Sequence, residues 1–153
     1  MHQLLFGILI LTCTLNPVRD SHQNRSSEQE IESVVYEFFD LMRASDGEGI
    51  RSVITEDATL HTVRVDGENT SLNETAFERF IGSVSRAEPA TLDEKLTSIR
   101  VHSDENLATA WMEYRFYVAG EFSHCGVNTM NLIRKSEGWK IFSIVDTRRT
   151  DGC

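Results

Sequence analysis

The sequence predicts an α+β fold in which helices pack against one face of a single antiparallel sheet. Segments with helical character fill most of the first half of the chain, and four long strand-like segments fill the second half. Runs of helices followed by runs of strands are typical of α+β folds. The 153 residues leave room for one domain with a hydrophobic core and hardly for two.

The first helix is predicted from a capping box, Ser27-x-x-Glu30, followed by apolar side chains at helical spacing. These side chains form one face of the helix: Ile31, Val34, Val35, Phe38, Leu41 and Met42. Asp46-Gly47 ends this helix, and a shorter one is expected to run through Ile50 and Ile54.

The middle of the chain predicts one strand and a third helix. Residues from Ala58 to Val65 alternate as a strand does, and Asp66-Gly67 has the composition of a turn. The third helix is expected from Asn73 to Gly82, with Asn73 as its N-cap. Four strands of an antiparallel meander follow the loop at Pro89: Leu92 to His102, Asn106 to Val118, Phe122 to Arg134 and Trp139 to Arg148.

The N-terminus predicts export. The apolar run from Leu4 to Leu15 has the length of a signal-peptide core and is too short to span a bilayer. We therefore expect a signal peptide over residues 1–19, a linker over 20–27 and the domain over 28–153, with a periplasmic or extracellular product. Because Met1-His2-Gln3 carries no Lys or Arg, a buried N-terminal strand is the alternative.

The composition excludes several classes of partner. The net charge is −9, whereas nucleic acid and anionic membrane surfaces require a basic face. The sequence contains no spacing typical of a metal site, no nucleophile elbow and no Gly-rich phosphate loop, so we expect no metal and no cofactor. A small molecule is the expected partner, without a membrane span.

The order of elements and two local segments carry a resemblance to a known superfamily. His124-Cys125-Gly126-Val127, Gly138-Trp139-Lys140-Ile141 and Asp146-Thr147-Arg148-Arg149 close the chain, and Phe38 to Thr62 aligns without a gap to the start of ketosteroid isomerases. The chain from Glu28 to Cys153 resembles the nuclear transport factor 2-like superfamily, which includes ketosteroid isomerase-like, SnoaL-like and lumazine-binding groups. The resemblance implies a cystatin-like α+β roll, a cone-shaped, strongly bent antiparallel sheet wrapped around N-terminal helices.

The resemblance also argues against the isomerase reaction. That reaction needs an Asp base on the first strand, a Tyr on the first helix and a protonated Asp in the meander. The matching positions hold Thr62, Phe38 and Asn131, of which only Asn131 retains a comparable hydrogen-bond donor. We therefore predict no catalytic residue and leave open whether the protein is an enzyme.

Strand register predicts which side chains face the cone. A two-residue turn at Ala119-Gly120 and a four-residue loop from Lys135 to Gly138 sort the side chains by face, although one bulge would exchange the faces. The predicted ligand pocket combines one sorted face with the positions that the resemblance supplies: Phe38, Thr62, Met112, Tyr114, Thr129, Asn131, Ile144, Asp146 and Arg148. Asn131 and Phe38 are expected at the floor, and Tyr114, Asp146 and Arg148 at the mouth.

Four charged or titratable residues have two interpretations each. Asp146 and Arg148 could form a partly buried ion pair, or Arg148 could bind a carboxylate or phosphate of a ligand. His61 and His124 are secondary candidates as bases. A histidine on a strand is more often structural, His61 is expected to point away from the face of Thr62, and register gives His124 no acidic partner.

Two cysteines remain after a signal peptide containing Cys13 is removed, and an exported chain permits a disulfide between Cys125 and Cys153. Register puts Cys153 about 17 Å beyond Cys125 if the tail is extended, so residues 150–152 would have to turn back. A buried free thiol at Cys125 is the alternative.

The leading hypothesis for function is an exported small-molecule-binding protein with an apolar pocket and a polar mouth. The alternatives are an acid–base enzyme of the same fold (an isomerase, dehydratase or cyclase) and a dimerisation module. A homodimer would use the outer sheet face, where Trp111, Met130 and Leu132 are expected.

Overall fold

The computed structural model describes residues 18–153, and it describes side chains from Ser27 onward. The nine elements are α1 (Val18–Arg43), α2 (Gly47–Val53), β1 (Ile54–Asp66), β2 (Asn69–Thr75), α3 (Phe77–Arg86), β3 (Leu92–Asp104), β4 (Leu107–Val118), β5 (Glu121–Lys135) and β6 (Gly138–Thr147). The predicted α+β class is confirmed. The predicted signal peptide lies outside the described residues up to position 17.

The six strands form one curved, unclosed sheet in the order β2-β1-β6-β5-β4-β3. β1 and β6 are parallel, and every other neighbouring pair is antiparallel. Helix α1 packs across the concave side, in contact with β3, β4 and β6. We call this covered side the inner face. The apolar core lies between it and the helices and contains Phe38, Met112 and Ile141.

Helix α1 begins earlier than the sequence indicated. The capping box at Ser27 predicted a start there, but the helix begins at Val18, so residues 20–27 are helical. Ser27 therefore lies inside the helix. A capping box shows where a helix can begin. The residues before it can still be helical and extend the same helix toward the N-terminus.

The segment expected to start the third helix forms an edge strand instead. Asn73 pairs with Thr62 in the β1–β2 hairpin, and Ala76 is the N-cap of α3. The expectation that Asn73 caps this helix is therefore wrong. β2 carries almost no apolar residues because it lies at the sheet edge, where most of its side chains are exposed.

Two β-bulges change the expected register of the meander. Ser123 is an extra residue between the pairs Phe116–His124 and Tyr117–Phe122, and Phe142 is the extra residue in β6. Because each bulge shifts the pairing by one residue, it moves the following side chains of the strand to the other face. On β5 the inner face therefore carries His124, Gly126, Asn128, Met130 and Leu132.

Candidate functional site

One end of the inner face gathers seven polar side chains from five strands, next to the apolar core. We call them the polar cluster: Thr62, Glu94, Tyr114, His124, Asn128, Asp146 and Arg148. Thr62, Asn128 and Asp146 occupy neighbouring positions across β1, β6 and β5. Thr62 and Asn128 are each 4% exposed to solvent, and Asp146 is 6% exposed. Such deep burial is unusual for polar side chains and requires an explanation.

Asp146 and Arg148 form an ion pair at the edge of the cluster. The Arg148 Nε donates to Asp146 Oδ2 at 2.7 Å, with the Arg148 side chain 44% exposed and that of Asp146 8% exposed. The second carboxylate oxygen, Oδ1, is buried and has no hydrogen-bond partner among the residues that the structure describes. Asp146 therefore retains one strong acceptor that the protein leaves unused.

Glu94 and Asn128 form the second contact of the cluster. Glu94 is partly buried on β3, beside Phe116, and its Oε1 accepts a hydrogen bond from the Asn128 side-chain amide. Burial raises the pKa of Glu94 to about 8, and the negative charge of Asp146 acts in the same direction. The bond from Asn128 and the charge of Arg148 oppose that rise only in part. At neutral pH Glu94 is therefore mostly a protonated acid, able to donate a hydrogen bond.

Tyr114 is held by the backbone of the last strand. Its hydroxyl donates to the Thr147 carbonyl oxygen at 2.9 Å, and burial raises its pKa, with the charges of Glu94 and Asp146 adding to the effect. Gly126 makes this contact possible, because a Cβ at that position would overlap the Thr147 carbonyl oxygen. Tyr114 thus serves as a fixed wall of the cluster, with its hydroxyl already engaged.

His124 lies on the inner face, contrary to the expected register. The bulge at Ser123 turns its ring toward Tyr114 and Phe116, at centroid distances of 5.7 and 5.0 Å. Burial lowers its pKa, and the charge of Arg148 lowers it further. His124 is therefore neutral at physiological pH and shares the inner end with two carboxyl groups.

The other residues predicted for the pocket divide into two groups. Phe38, Met112 and Ile144 are buried in the apolar core. Asn131 and Thr129 lie on the opposite face, where Thr109 donates a hydrogen bond to Asn131. The prediction that these two residues line the cone is wrong, because the bulge at Ser123 brings Met130 and Leu132 inward in their place.

The remaining predictions about sheet faces have mixed outcomes. His61 pairs with Val145 and Glu74 on the outer face, pointing away from the face of Thr62 as the sequence indicated. Trp111 is 46% exposed, whereas Met130 and Leu132 are fully buried. The outer apolar surface proposed for a homodimer therefore loses two of its three residues.

The sequence analysis missed Glu94 and Asn128. Glu94 alternates with Leu92 and Leu96 on β3, and a charged residue in the register of two apolar ones is a signal that could have identified it. Asn128 had no such signal, since its face depends on two bulges. Pairing rules applied to a continuous ladder cannot locate those bulges.

A disulfide joins Cys125 to Cys153, with the two Cα atoms 5.9 Å apart. The tail turns back after Arg149, whose backbone makes two hydrogen bonds with that of Cys125, and Arg115 donates to the Cys153 carbonyl oxygen. The disulfide therefore fixes the chain immediately after Arg148, on the face of the sheet opposite the polar cluster.

A groove of about 280 Å³ lies between α1 and the start of β3, and Glu94 lines it. Tyr36, Phe39 and Leu96 supply its apolar wall. Arg43 and Lys95 each lie 3.5 Å from the carboxylate of Asp93, and Asp40 adds a second negative charge to the lining, so the rim charges largely neutralise one another. The groove is an opening beside Glu94 of the polar cluster.

Replacing Arg148 with Met tests whether the ion pair is structural. We expect the free energy of unfolding to fall by about 1–3 kcal/mol, because Asp146 would keep its burial and lose its charged partner. Thermal and denaturant unfolding measure the change. The additional replacement Asp146→Leu should recover much of the loss. Unchanged stability, together with weaker binding of anions, would instead identify Arg148 as a ligand-binding group.

Comparison with known structures identifies the class of protein. A nuclear transport factor 2-like protein with a cystatin-like fold from Novosphingobium aromaticivorans superposes with a TM-score of 0.65 at 16% identity, covering 92% of this chain and 94% of that one. A protein titled “putative scytalone dehydratase” from the same organism gives 0.66 at 10% identity, covering 85% and 89%. A “putative dehydratase” from Streptomyces avermitilis gives 0.62 at 16% identity, covering 83% and 98%. The chain has the nuclear transport factor 2-like, cystatin-like fold.

The family follows from the sequence match. Residues 26–145 match the protein family described as “Putative lumazine-binding”, and the chain belongs to that family. No curated protein matches the chain. The identities to solved structures are low, so these structures establish the fold, and the site must be interpreted from its own residues.

In the part of the chain that the structure describes, no helix is long and apolar enough to cross a bilayer. The same residues include no group of three potential metal ligands among His, Cys, Asp and Glu.

Proposed function

We propose that the protein binds a small organic molecule at the polar cluster. The observation that carries the proposal is Asp146 Oδ1, an acceptor buried without a partner on the inner face. An unsatisfied buried oxygen of a charged group costs stability, and a bound ligand that donates to it would remove that cost. Concave sites with apolar walls and a few convergent polar groups are typical of small-molecule binding.

The comparisons support the same proposal at a coarser level. The family is described as lumazine-binding, and two structural neighbours are titled dehydratases. Each description concerns a protein that takes up a small organic molecule. For this chain they favour ligand binding without identifying the ligand.

An acid–base enzyme is the second candidate function, and one observation favours it. Glu94 retains its proton at neutral pH, and the carboxyl group of Asp146 lies in the same cluster, 2.7 Å from Arg148. A protonated carboxyl group beside a second carboxyl group is suited to donating a proton and accepting another. An enzyme would turn over a bound compound, whereas a binding protein would return it unchanged.

Export and dimerisation also remain proposals. The disulfide supports export, because disulfides persist in oxidising compartments and are rare in the cytosol. A homodimer through the outer sheet face would have to use exposed apolar residues such as Trp111, Val65 and Leu72. N-terminal sequencing of the mature protein and sedimentation analysis address these two proposals.

Native mass spectrometry of the protein purified from its own host tests the binding proposal. We expect the wild-type protein to retain a small molecule that is released on denaturation. The change Asn128→Leu should abolish retention, because it removes the polar group between Glu94 and Asp146. Asn131→Leu is the matched control on the same strand and the opposite face, and it should retain the molecule. Retention by the Asn128 variant, or by neither the wild type nor the control, would contradict the proposal.

A further inference from the structure

The groove between α1 and the start of β3 combines an apolar wall with a charged rim. Helix α1 supplies four residues whose spacing puts them on one side of the helix: Tyr36, Phe39, Asp40 and Arg43. Strand β3 supplies residues 93–96. The volume of about 280 Å³ is near the lower end of the range for ligand pockets, so the groove suits a small molecule.

The β3 side of the rim carries a surplus of positive charge. Arg43 Nε and Lys95 Nζ each lie 3.5 Å from a carboxylate oxygen of Asp93, so two cations share one anion. Both cationic side chains are more than half exposed and have further N–H donors. Lys95 is also held over the ring of Tyr117, 4.8 Å from its centroid. A carboxylate that enters the groove on this side would meet two positive charges.

The α1 side of the rim carries a free negative charge. Asp40 lies one helical turn before Arg43, and side chains at this spacing are neighbours, about 5–6 Å apart between their Cβ atoms. Asp40 is exposed, and it forms no ion pair with any residue that the structure describes. An ammonium group is therefore a suitable partner for its carboxylate.

The charges of the rim favour a ligand that carries one charge of each sign. The rim holds two cations and two carboxylates, so its net charge is close to zero. A ligand with a single charge would be attracted by one side of the groove and repelled by the other, whereas a zwitterion would be attracted by both sides.

The floor and wall of the groove suit an apolar group. Tyr36, Phe39 and Leu96 supply the apolar surface, and aromatic rings pack well against one another. Glu94 is mostly protonated at neutral pH, because burial raises its pKa to about 8. The lining below the rim is therefore uncharged, and an apolar side chain can lie there without facing a buried carboxylate.

We infer that the groove binds a small zwitterion of the α-amino acid class with an apolar side chain. The ammonium group of the ligand pairs with Asp40, and its carboxylate lies between Arg43 and Lys95. Its side chain packs against Tyr36 and Phe39. The groove shares one residue with the polar cluster, so this inference does not rest on the function proposed for that cluster.

Four probes, titrated into the protein at pH 7 and followed by the NMR signals of its amide groups, test the ligand class. L-Phenylalanine carries both charges and a ring. Phenethylamine lacks the carboxylate, 3-phenylpropionate lacks the ammonium group, and glycine lacks the ring. We expect L-phenylalanine to shift signals of α1 and β3 and to bind at least about threefold more tightly than each of the others. The factor is modest because the charges of the rim are exposed.

Two variants separate the two charges. Asp40→Asn should weaken binding of L-phenylalanine about threefold without weakening that of 3-phenylpropionate, which has no ammonium group. Lys95→Met should weaken binding of L-phenylalanine without weakening that of phenethylamine. Glu37→Gln is the matched control, because Glu37 is an exposed carboxylate on α1 outside the lining of this groove, and it should bind all four probes as the wild type does.

Several outcomes would overturn the inference. Binding of phenethylamine or 3-phenylpropionate as tight as that of L-phenylalanine would reject the zwitterion, and equal binding of glycine would reject the apolar contact. Equal loss of every probe in the Asp40 variant would show a structural effect in place of the assigned pairing. If no probe bound to the wild-type protein, the site would be rejected, whatever molecule the polar cluster retained. The comparison of probes on the wild type does not depend on the folding of any variant.

Discussion

Replacing Gly126 with Ala is expected to lower the free energy of unfolding by about 2–4 kcal/mol. The added Cβ would overlap the Thr147 carbonyl oxygen and lie 3.0 Å from the Tyr114 ring. The backbone of β6 would have to move, which strains the core and breaks the hydrogen bond from Tyr114 to Thr147. Denaturant unfolding measures the loss, and binding at the polar cluster should weaken as Asp146 and Arg148 move with Thr147.

Gly82→Ala provides the control for this prediction. Gly82 lies in the middle of α3, and an added Cβ there meets only the end of the flexible Arg86 side chain, at 3.2 Å. Alanine in a helix interior is favoured over glycine, so this variant should gain about 0.5–1 kcal/mol. If Gly126→Ala were as stable as the wild type, the close approach of Thr147 to β5 would be disproved.

Replacing Cys153 with Ser is expected to cost about 3–4 kcal/mol of stability under oxidising conditions. The disulfide closes a loop with a sequence separation of 28, and losing it restores conformational freedom to the unfolded chain. Cys153 is exposed and Cys125 is buried, so changing Cys153 removes the disulfide without opening a cavity. Denaturant unfolding with and without reductant measures the effect.

The reductant supplies the control. Wild-type protein and the Cys153→Ser variant should have nearly equal stability once the disulfide is reduced. Alkylation of the denatured, non-reduced protein gives an independent measurement, in which neither Cys125 nor Cys153 of the mature wild type should be labelled. Labelling of both cysteines in protein taken directly from its host would contradict the disulfide.

Parts of the candidate site follow from sequence alone. Asp146 and Arg148 are two positions apart in an extended segment, so their side chains lie on the same face and can come into contact. In the structure the Arg148 Nε lies 2.7 Å from Asp146 Oδ2. Tyr114 is buried on the inner face, where register put it, and Thr62 is buried there as the resemblance implied. β4 has no extra residue between Leu107 and Val118, so its side chains alternate regularly and pattern reasoning works for Tyr114.

The rest of the site depends on where the sheet departs from regular pairing. Asn131 was expected on the inner face and His124 on the outer face. The structure reverses both positions, because Ser123 and Phe142 each add one residue to a ladder. A bulge is stable where it lets the bent sheet bury apolar side chains in place of polar ones. Here Met130 and Leu132 are fully buried. That choice is a property of the packed core and has no local sequence marker.

The sequence by itself determined the α+β class, the meander and the resemblance to the nuclear transport factor 2-like fold, because periodicity, turn residues and element order are local properties of the chain. The tertiary structure decided which polar groups meet. Glu94 acquires its raised pKa only through burial beside Asn128 and Asp146, which are 34 and 52 positions away in the chain. Burial and long-range proximity are produced by packing, and they determine the protonation state of Glu94 in the candidate site.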